Sequence, residues 1–218
     1  IHVKPYLAWY TIRVHQQQEV ALYLTRHDAI EILKNMREFE NALNDTYTSR
    51  GYNFRDNTGR RNQLLSVAQE VETAKVLRKK YKEVIEDGGP GKPDIYIKDI
   101  DRELECKLTS GSKSKGTISY AFQTDWDTIC NKKKLDYLYV IADKNFEEYC
   151  VIFFDGLTPD DFFPPASGSR GKSRMNKTVA MQKATFLYGT FTFHNEVYIK
   201  SIRSDFIKET EEHIIKLR

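Results

Sequence analysis

The chain reads as an α/β (α+β) protein with a mixed central β-sheet flanked by helices, and three observations predict it. Leu64, Val67, Ala68, Val71, Ala74, Leu77 and Tyr81 recur at helical spacing over residues 63–80. Ile95 and Ile97, then Leu104, Cys106 and Leu108, form two short apolar alternations around a polar turn at 98–101, the pattern of a β-hairpin. A helical stretch within 120–133 then leads to the apolar run 137–142, and a connection of that length suits a crossover to a parallel strand. With a short strand within 82–87, the order is αβββαβ.

Taken in order, residues 1–10 mix Val3, Tyr6, Leu7, Trp9 and Tyr10 in a way that suits a strand or an irregular arm equally. Two helices are expected next. The second is the clearer, with Asp28 and Glu31 spaced as a capping box ahead of Ile30, Leu33, Met36 and Leu43. Residues 45–62 are polar and glycine-punctuated, which predicts a loop. Its Arg50, Arg55, Arg60 and Arg61, interleaved with Tyr47, Tyr52 and Phe54, suit either a path along DNA or an ordinary solvated connection. The GGPGK run leads sharply into Asp94, and the TSGSKSKGT run after the hairpin is a flexible basic loop. A further apolar run covers 149–154. Residues 159–177 are too rich in Pro, Gly and Ser for regular structure. A second hairpin turns at His194 and Asn195, and Ser204 opens a last amphipathic helix. The chain divides into an N-terminal elaboration (1–62), a core (63–155) and a C-terminal loop, hairpin and helix (156–218), expected to form one compact domain.

Composition bounds the function without naming it. At 218 residues, with 40% hydrophobic and 30% charged residues, the chain is an ordinary globular protein with ample core. A net charge of +3 excludes a polycation. Cations nevertheless cluster locally, at 60–61, 113–115, 132–134 and 170–177, and local clusters can track a phosphate backbone. Cys106, Cys130 and Cys150 show no metal or disulfide spacing, so reduced thiols are expected. No signal peptide is visible, and no apolar run approaches the roughly 18 residues of a membrane span. A cytoplasmic protein that does not enter a membrane is the expectation, and the opening on Ile1 rather than Met suits a trimmed chain.

The hairpin carries the chemistry. If Ile97 pairs with Arg102, Asp94 stands opposite Glu105, and opposed residues share a face within roughly 5.5 Å at Cβ. Lys107, two residues on, shares that face because side chains alternate. Two facing carboxylates repel unless a cation lies between them, and oxygen ligands suit a hard ion such as Mg²⁺. The lysine is then placed to hold or help deprotonate an attacking water and to neutralise phosphoryl charge. The plain alternative is a solvated amphipathic hairpin whose charges face water.

Pro93 and Asp94, followed by Glu105, Cys106 and Lys107, resemble the PD-(D/E)XK nuclease superfamily, over roughly residues 63–142. The resemblance implies Mg²⁺-dependent hydrolysis of double-stranded DNA, as by a type II restriction endonuclease, commonly a homodimer, leaving 5′-phosphate and 3′-hydroxyl ends. It implies Asp94, Glu105 and the backbone carbonyl of Cys106 as metal ligands and Lys107 as the residue orienting water. Glu70, on the preceding helix near the edge of its apolar stripe, joins them, with Glu72 in reserve. Gln123 and Tyr120 do not have the spacing of the glutamine and tyrosine found in some exonuclease branches. For DNA contact, the basic residues Lys113, Lys115, Arg170, Lys172, Arg174 and Lys177 and the amide of Asn176 are the candidates. A structure-specific repair or recombination nuclease, or a non-catalytic DNA-binding module, would share the same core.

Overall fold

The computed structural model describes residues 22–193 and 196–198, apart from 90, 115–116, 144–145, 168–170 and 190. The N-terminal arm, the first expected helix and the last helix lie outside these residues, as do Lys115 and Arg170.

Helix α1 (Arg26–Thr48) begins three residues earlier than its sequence pattern suggests. Thr25 caps it, and its capping box pairs Thr25 with Asp28 rather than Asp28 with Glu31. Asp28 is thereby the third helical residue, and its carboxylate accepts from the Thr25 N–H at 2.6 Å while also pairing with Lys80. Helix α2 (Thr58–Arg78) is capped by Asn57, which accepts from the Arg60 N–H. The expected loop over 45–62 therefore shrinks to residues 49–57, because both helices run into it.

The buried side of α2 keeps part of the stripe its apolar residues mark, since Ala68, Ala74 and Leu77 are buried, but it is rotated toward polar positions. Arg61, Leu65, Ala68, Gln69, Thr73 and Val76 face inward, while Leu64 and Val67 face solvent. Two of these inward polar side chains find partners on other elements. Gln69 Nε2 donates to the Leu138 carbonyl at 2.9 Å, and the Arg61 guanidinium stacks 4.1 Å over the Phe146 ring.

The remaining elements follow in chain order. Strands β1 (Val84–Glu86), β2 (Ile95–Ile97) and β3 (Arg102–Ser110) come first. A small hairpin of β4 (Ser112–Ser114) and β5 (Thr117–Ser119) replaces the expected flexible loop. Then come β6 (Gln123–Asp125) and α3 (Trp126–Lys132), the helix expected within 120–133. Strands β7 (Leu135–Ala142), β8 (Tyr149–Leu157), β9 (Phe162–Phe163) and β10 (Lys172–Met175) follow. The short helix α4 (Lys177–Ala180), β11 (Ala184–Tyr188) and the hairpin β12 (Phe191–Phe193) with β13 (Glu196–Tyr198) complete the described residues.

The fold is thus a mixed α+β architecture. The main sheet has the order β1-β2-β3-β7-β8-β11, with β3 and β7 parallel and the other pairs antiparallel. The parallel pair is the crossover expected between the hairpin and the run at 137–142. Side-chain alternation divides the core into two. Leu104, Cys106, Leu138, Val140 and Phe153 pack against α1 and α2 on one face. On the other, Tyr137, Tyr139, Ile152 and Phe154 pack against Phe122, Ile129, Phe162 and Met175. The strongly apolar β7 is buried along its whole length because both faces are covered.

Residues 159–177 are not irregular throughout. Strand β10 pairs with β6 on one side and β9 on the other, making a three-stranded antiparallel sheet over the second face. The polar and glycine-rich composition hid a strand whose Ser173 and Met175 are the buried positions. All three cysteines are free, Cys106 and Cys150 being buried. No helix among the described residues is long and apolar enough to cross a membrane.

Candidate active site

The hairpin register fixes the site. Ile97 pairs with Arg102 and Ile95 with Leu104, so the next positions outward are Asp94 and Glu105, as the turn at 98–101 requires. That turn is a single 3-10 turn closed by Asp101 in the left-handed region (φ 50°). Beyond Ile95 the ladder stops. One step further, Pro93 stands across from Cys106, and it has no N–H to offer the Cys106 carbonyl. The Cys106 N–H, freed from a strand partner, donates instead to Asp94 Oδ2 at 2.8 Å. In an extended strand a residue's N–H and C=O project to the same edge, so the Cys106 carbonyl is directed toward the Asp94 side.

Lys107 draws the two acids together. Its Nζ lies 2.6 Å from Glu105 Oε2 and 3.4 Å from Asp94 Oδ2. Asp94, Glu105, Lys107 and the Cys106 main chain therefore converge at one point where β2 begins beside β3, within the sheet. Glu105 is 7% exposed. Burial pushes its carboxyl up to about 7; Lys107 pulls against that rise and Asp94 adds to it. For Lys107 burial disfavours the charge, yet Glu105 and then Asp94 outweigh it, and the amine is held well above its ordinary value. It is an ammonium, a form that can hold a water or an anionic oxygen but cannot take a proton from one.

Glu70 joins from α2. Burial raises its carboxyl, and the Asp94 charge raises it further while Lys107 opposes, which identifies it as a member of the same electrostatic cluster. Glu72, the reserve, is engaged elsewhere: it accepts from Asn35 at 2.8 Å and from Lys75 at 2.7 Å.

The arrangement suits a hard cation. Among the described residues no group of three or more His, Cys, Asp and Glu side chains is placed to hold a metal, so a cage made wholly of side chains is not present there. Mg²⁺ does not need one, since it commonly keeps waters and takes one or two carboxylates. Asp94 and Glu105, whose contacts to the Cys106 N–H and Lys107 run through Oδ2 and Oε2, and the Cys106 carbonyl directed toward them match that donor set.

A groove of about 550 Å³ opens from the cluster. Besides Glu105 and Lys107, it is lined by Asn62, Gln123, Asp125, Thr128 and Lys172. Four of these five had no assignment from sequence, because α2, β6 and α3 meet here only through tertiary packing. Lys172, a DNA-contact candidate, lines the groove and lies 3.6 Å from Asp125. Arg174 is exposed on β10, and Asn176 is half-buried at the entry to α4, its backbone N–H bonded to Asp161. Lys113 lies on β4.

Three of the cations considered for DNA contact are redirected by the structure. Lys177 turns inward, donating to the Tyr120 carbonyl at 3.0 Å and lying 4.7 Å over the Phe122 ring, and burial lowers its pKa. Arg61 is fully buried. Arg55 clasps the buried Glu40 through two bonds of 2.9 Å. Their sequence neighbours are polar and suggested a solvated segment, whereas each finds an aromatic ring or an acid from elsewhere in the chain. Compared with known proteins, the chain matches no protein-family model and no curated protein.

Proposed function

We propose that the chain is a Mg²⁺-dependent endonuclease that hydrolyses double-stranded DNA at specific sequences, acting as a homodimer in the manner of a type II restriction enzyme. The single observation that carries this reading is the convergence of Asp94, Glu105 and Lys107 where β2 begins beside β3, with Lys107 within 3.4 Å of both acids. Asp94, Glu105 and the Cys106 carbonyl would hold the ion, with Glu70 supporting it. When bound, Mg²⁺ supplies Lewis-acid polarisation of a phosphoryl oxygen and a more acidic water. The chain's own groups do the rest. Asp94 is oriented by the Cys106 N–H, so its carboxylate is fixed before substrate arrives. Lys107, kept cationic by both acids, orients the attacking water or neutralises a phosphate oxygen as charge develops.

Incubation of supercoiled plasmid with Mg²⁺, with EDTA and Asp94→Ala as controls, tests the reading. Discrete fragments with uniform ends, lost in both controls, support it. Cutting confined to junctions or flaps supports the repair or recombination nuclease instead, and the absence of cutting with any divalent ion favours a non-catalytic DNA-binding module and overturns the endonuclease reading.

A further inference from the structure

The three-stranded sheet does more than cover the core. Along β10 burial alternates: Ser173 and Met175 face inward, while Lys172 and Arg174 face out. The pairing register extends this outer face across neighbouring strands. Arg174 is directly opposed to Gln123 on β6 and to Phe163 on β9, and Lys172 to Asp125. Directly opposed side chains stand about 5 Å apart at Cβ, so Gln123, Arg174 and Phe163 form one row.

Each member of the row lacks a structural reason for its chemistry. Neither the Arg174 guanidinium nor the Gln123 side-chain amide has a hydrogen-bond or ion-pair partner among the described residues. Phe163 is 55% exposed, although its neighbour Phe162 is buried in the core. The sheet face is also continuous with the groove, because Gln123, Asp125 and Lys172 line the same cavity as Glu105 and Lys107. The one acid on this face is already engaged: Asp125 caps α3 through Thr128 and lies beside Lys172. The outer face is therefore not repulsive to a polyanion.

From this placement we propose that the outer face of the β6-β10-β9 sheet reads base edges of duplex DNA, with Arg174, Gln123 and Phe163 as specificity-determining residues. The inference rests on the reading of the adjoining groove as a DNA-cleaving site. A two-stranded ribbon such as β6 with β10 fits a major groove about 12 Å wide. Arg174 suits the paired acceptors of guanine, Gln123 the donor and acceptor of adenine, and Phe163 the methyl group of thymine. Lys172, beside the catalytic groove, contacts phosphate and carries no sequence information.

Selection from duplexes with a randomised central segment tests this, using the full chain in Ca²⁺ for binding and in Mg²⁺ for end sequencing. The wild type should enrich a consensus. Arg174→Ala should lose discrimination at one guanine and Gln123→Ala at one adenine, by about 5- to 100-fold each. Phe163→Ala should relax preference at a thymine, and Lys172→Ala should weaken binding to all sequences alike. All four positions are exposed, and unchanged circular dichroism would verify folding. If the wild type binds with a consensus that the variants relax yet never cuts, the sheet reads DNA and the nuclease reading fails. If it cuts while the consensus is unchanged in Arg174→Ala and Gln123→Ala, the nuclease stands and the proposed row is wrong. A wild type that binds duplexes without preference, or does not bind them, also overturns the proposal.

Discussion

Glu105 offers a test that needs no substrate. Burial first, and Asp94 in addition, hold its carboxyl at about 7 against the ordinary 4.5, even with Lys107 opposing the rise. The folded protein thus binds this proton more tightly than the unfolded chain does. Its contribution to stability is full below about pH 4.5, falls as pH rises toward about 7, and is flat beyond. At about 1.4 kcal/mol for each tenfold change in proton affinity, ionised Glu105 costs about 3 kcal/mol in the absence of a divalent ion. Gln keeps the shape but never ionises, and Lys107 retains Asp94 as a partner in that variant. Glu105→Gln in EDTA should therefore be the more stable protein at about pH 8.5, by about 6 to 12 °C for a chain of this size, and the two should converge near pH 4.5. Mg²⁺ at a hundredfold excess over its dissociation constant should then stabilise only the wild type, by about 2.7 kcal/mol. Thermal unfolding followed by circular dichroism across pH, with EDTA or Mg²⁺, reads all of this. Parallel pH profiles for the two proteins in EDTA would refute the reasoning, since Glu105 would then be ionised at no cost.

Other perturbations test separate links. Asp94→Ala should abolish Mg²⁺-dependent cleavage in a plasmid assay while DNA binding, measured by gel shift, stays within a few-fold of wild type. Lys107→Ala should slow single-turnover cleavage by about 100- to 1000-fold, the scale of losing one charge-stabilising donor, and an unchanged rate would remove its role. Lys172→Ala should reduce the slope of log binding constant against log salt by about one, as one lost phosphate contact requires. Gly189→Ala should destabilise the fold by about 2 to 4 kcal/mol in a denaturant titration. At φ +69° a Cβ there would lie 2.2 Å from the Tyr149 carbonyl oxygen, and backbone cannot step aside as a side-chain tip can.

What the sequence reveals is what short-range geometry decides. The pairing of Ile97 with Arg102 is dictated by the turn between them, so the approach of Asp94, Glu105 and Lys107 follows from residues within one hairpin. The parallel β3 and β7 pair is legible for a related reason, because a connection of that length suits a crossover to a parallel neighbour. The face of α2 is legible only in part: Ala68, Ala74 and Leu77 of its apolar stripe are buried, while Leu64 and Val67 are left in water and Arg61 and Gln69 turn inward. The choice is made by distant partners, the Leu138 carbonyl for Gln69 and the Phe146 ring for Arg61. Strand β10 is hidden for the same reason: its partner β6 lies some fifty residues upstream, and Lys-Ser-Arg-Met has little β-propensity of its own. Lys177 looked like surface charge among other cations, and only the fold brings the Phe122 ring beneath it.

Pro93 gives the hairpin an ending set by chemistry rather than by bulk. Any other residue at that position would bring a secondary amide within reach of Cys106, and the zipper of β2 onto β3 would be free to close by one more rung. The Cys106 oxygen, proposed above as a cation ligand, would become scaffolding. The boundary between framework and chemistry in this protein therefore lies at a single missing hydrogen atom.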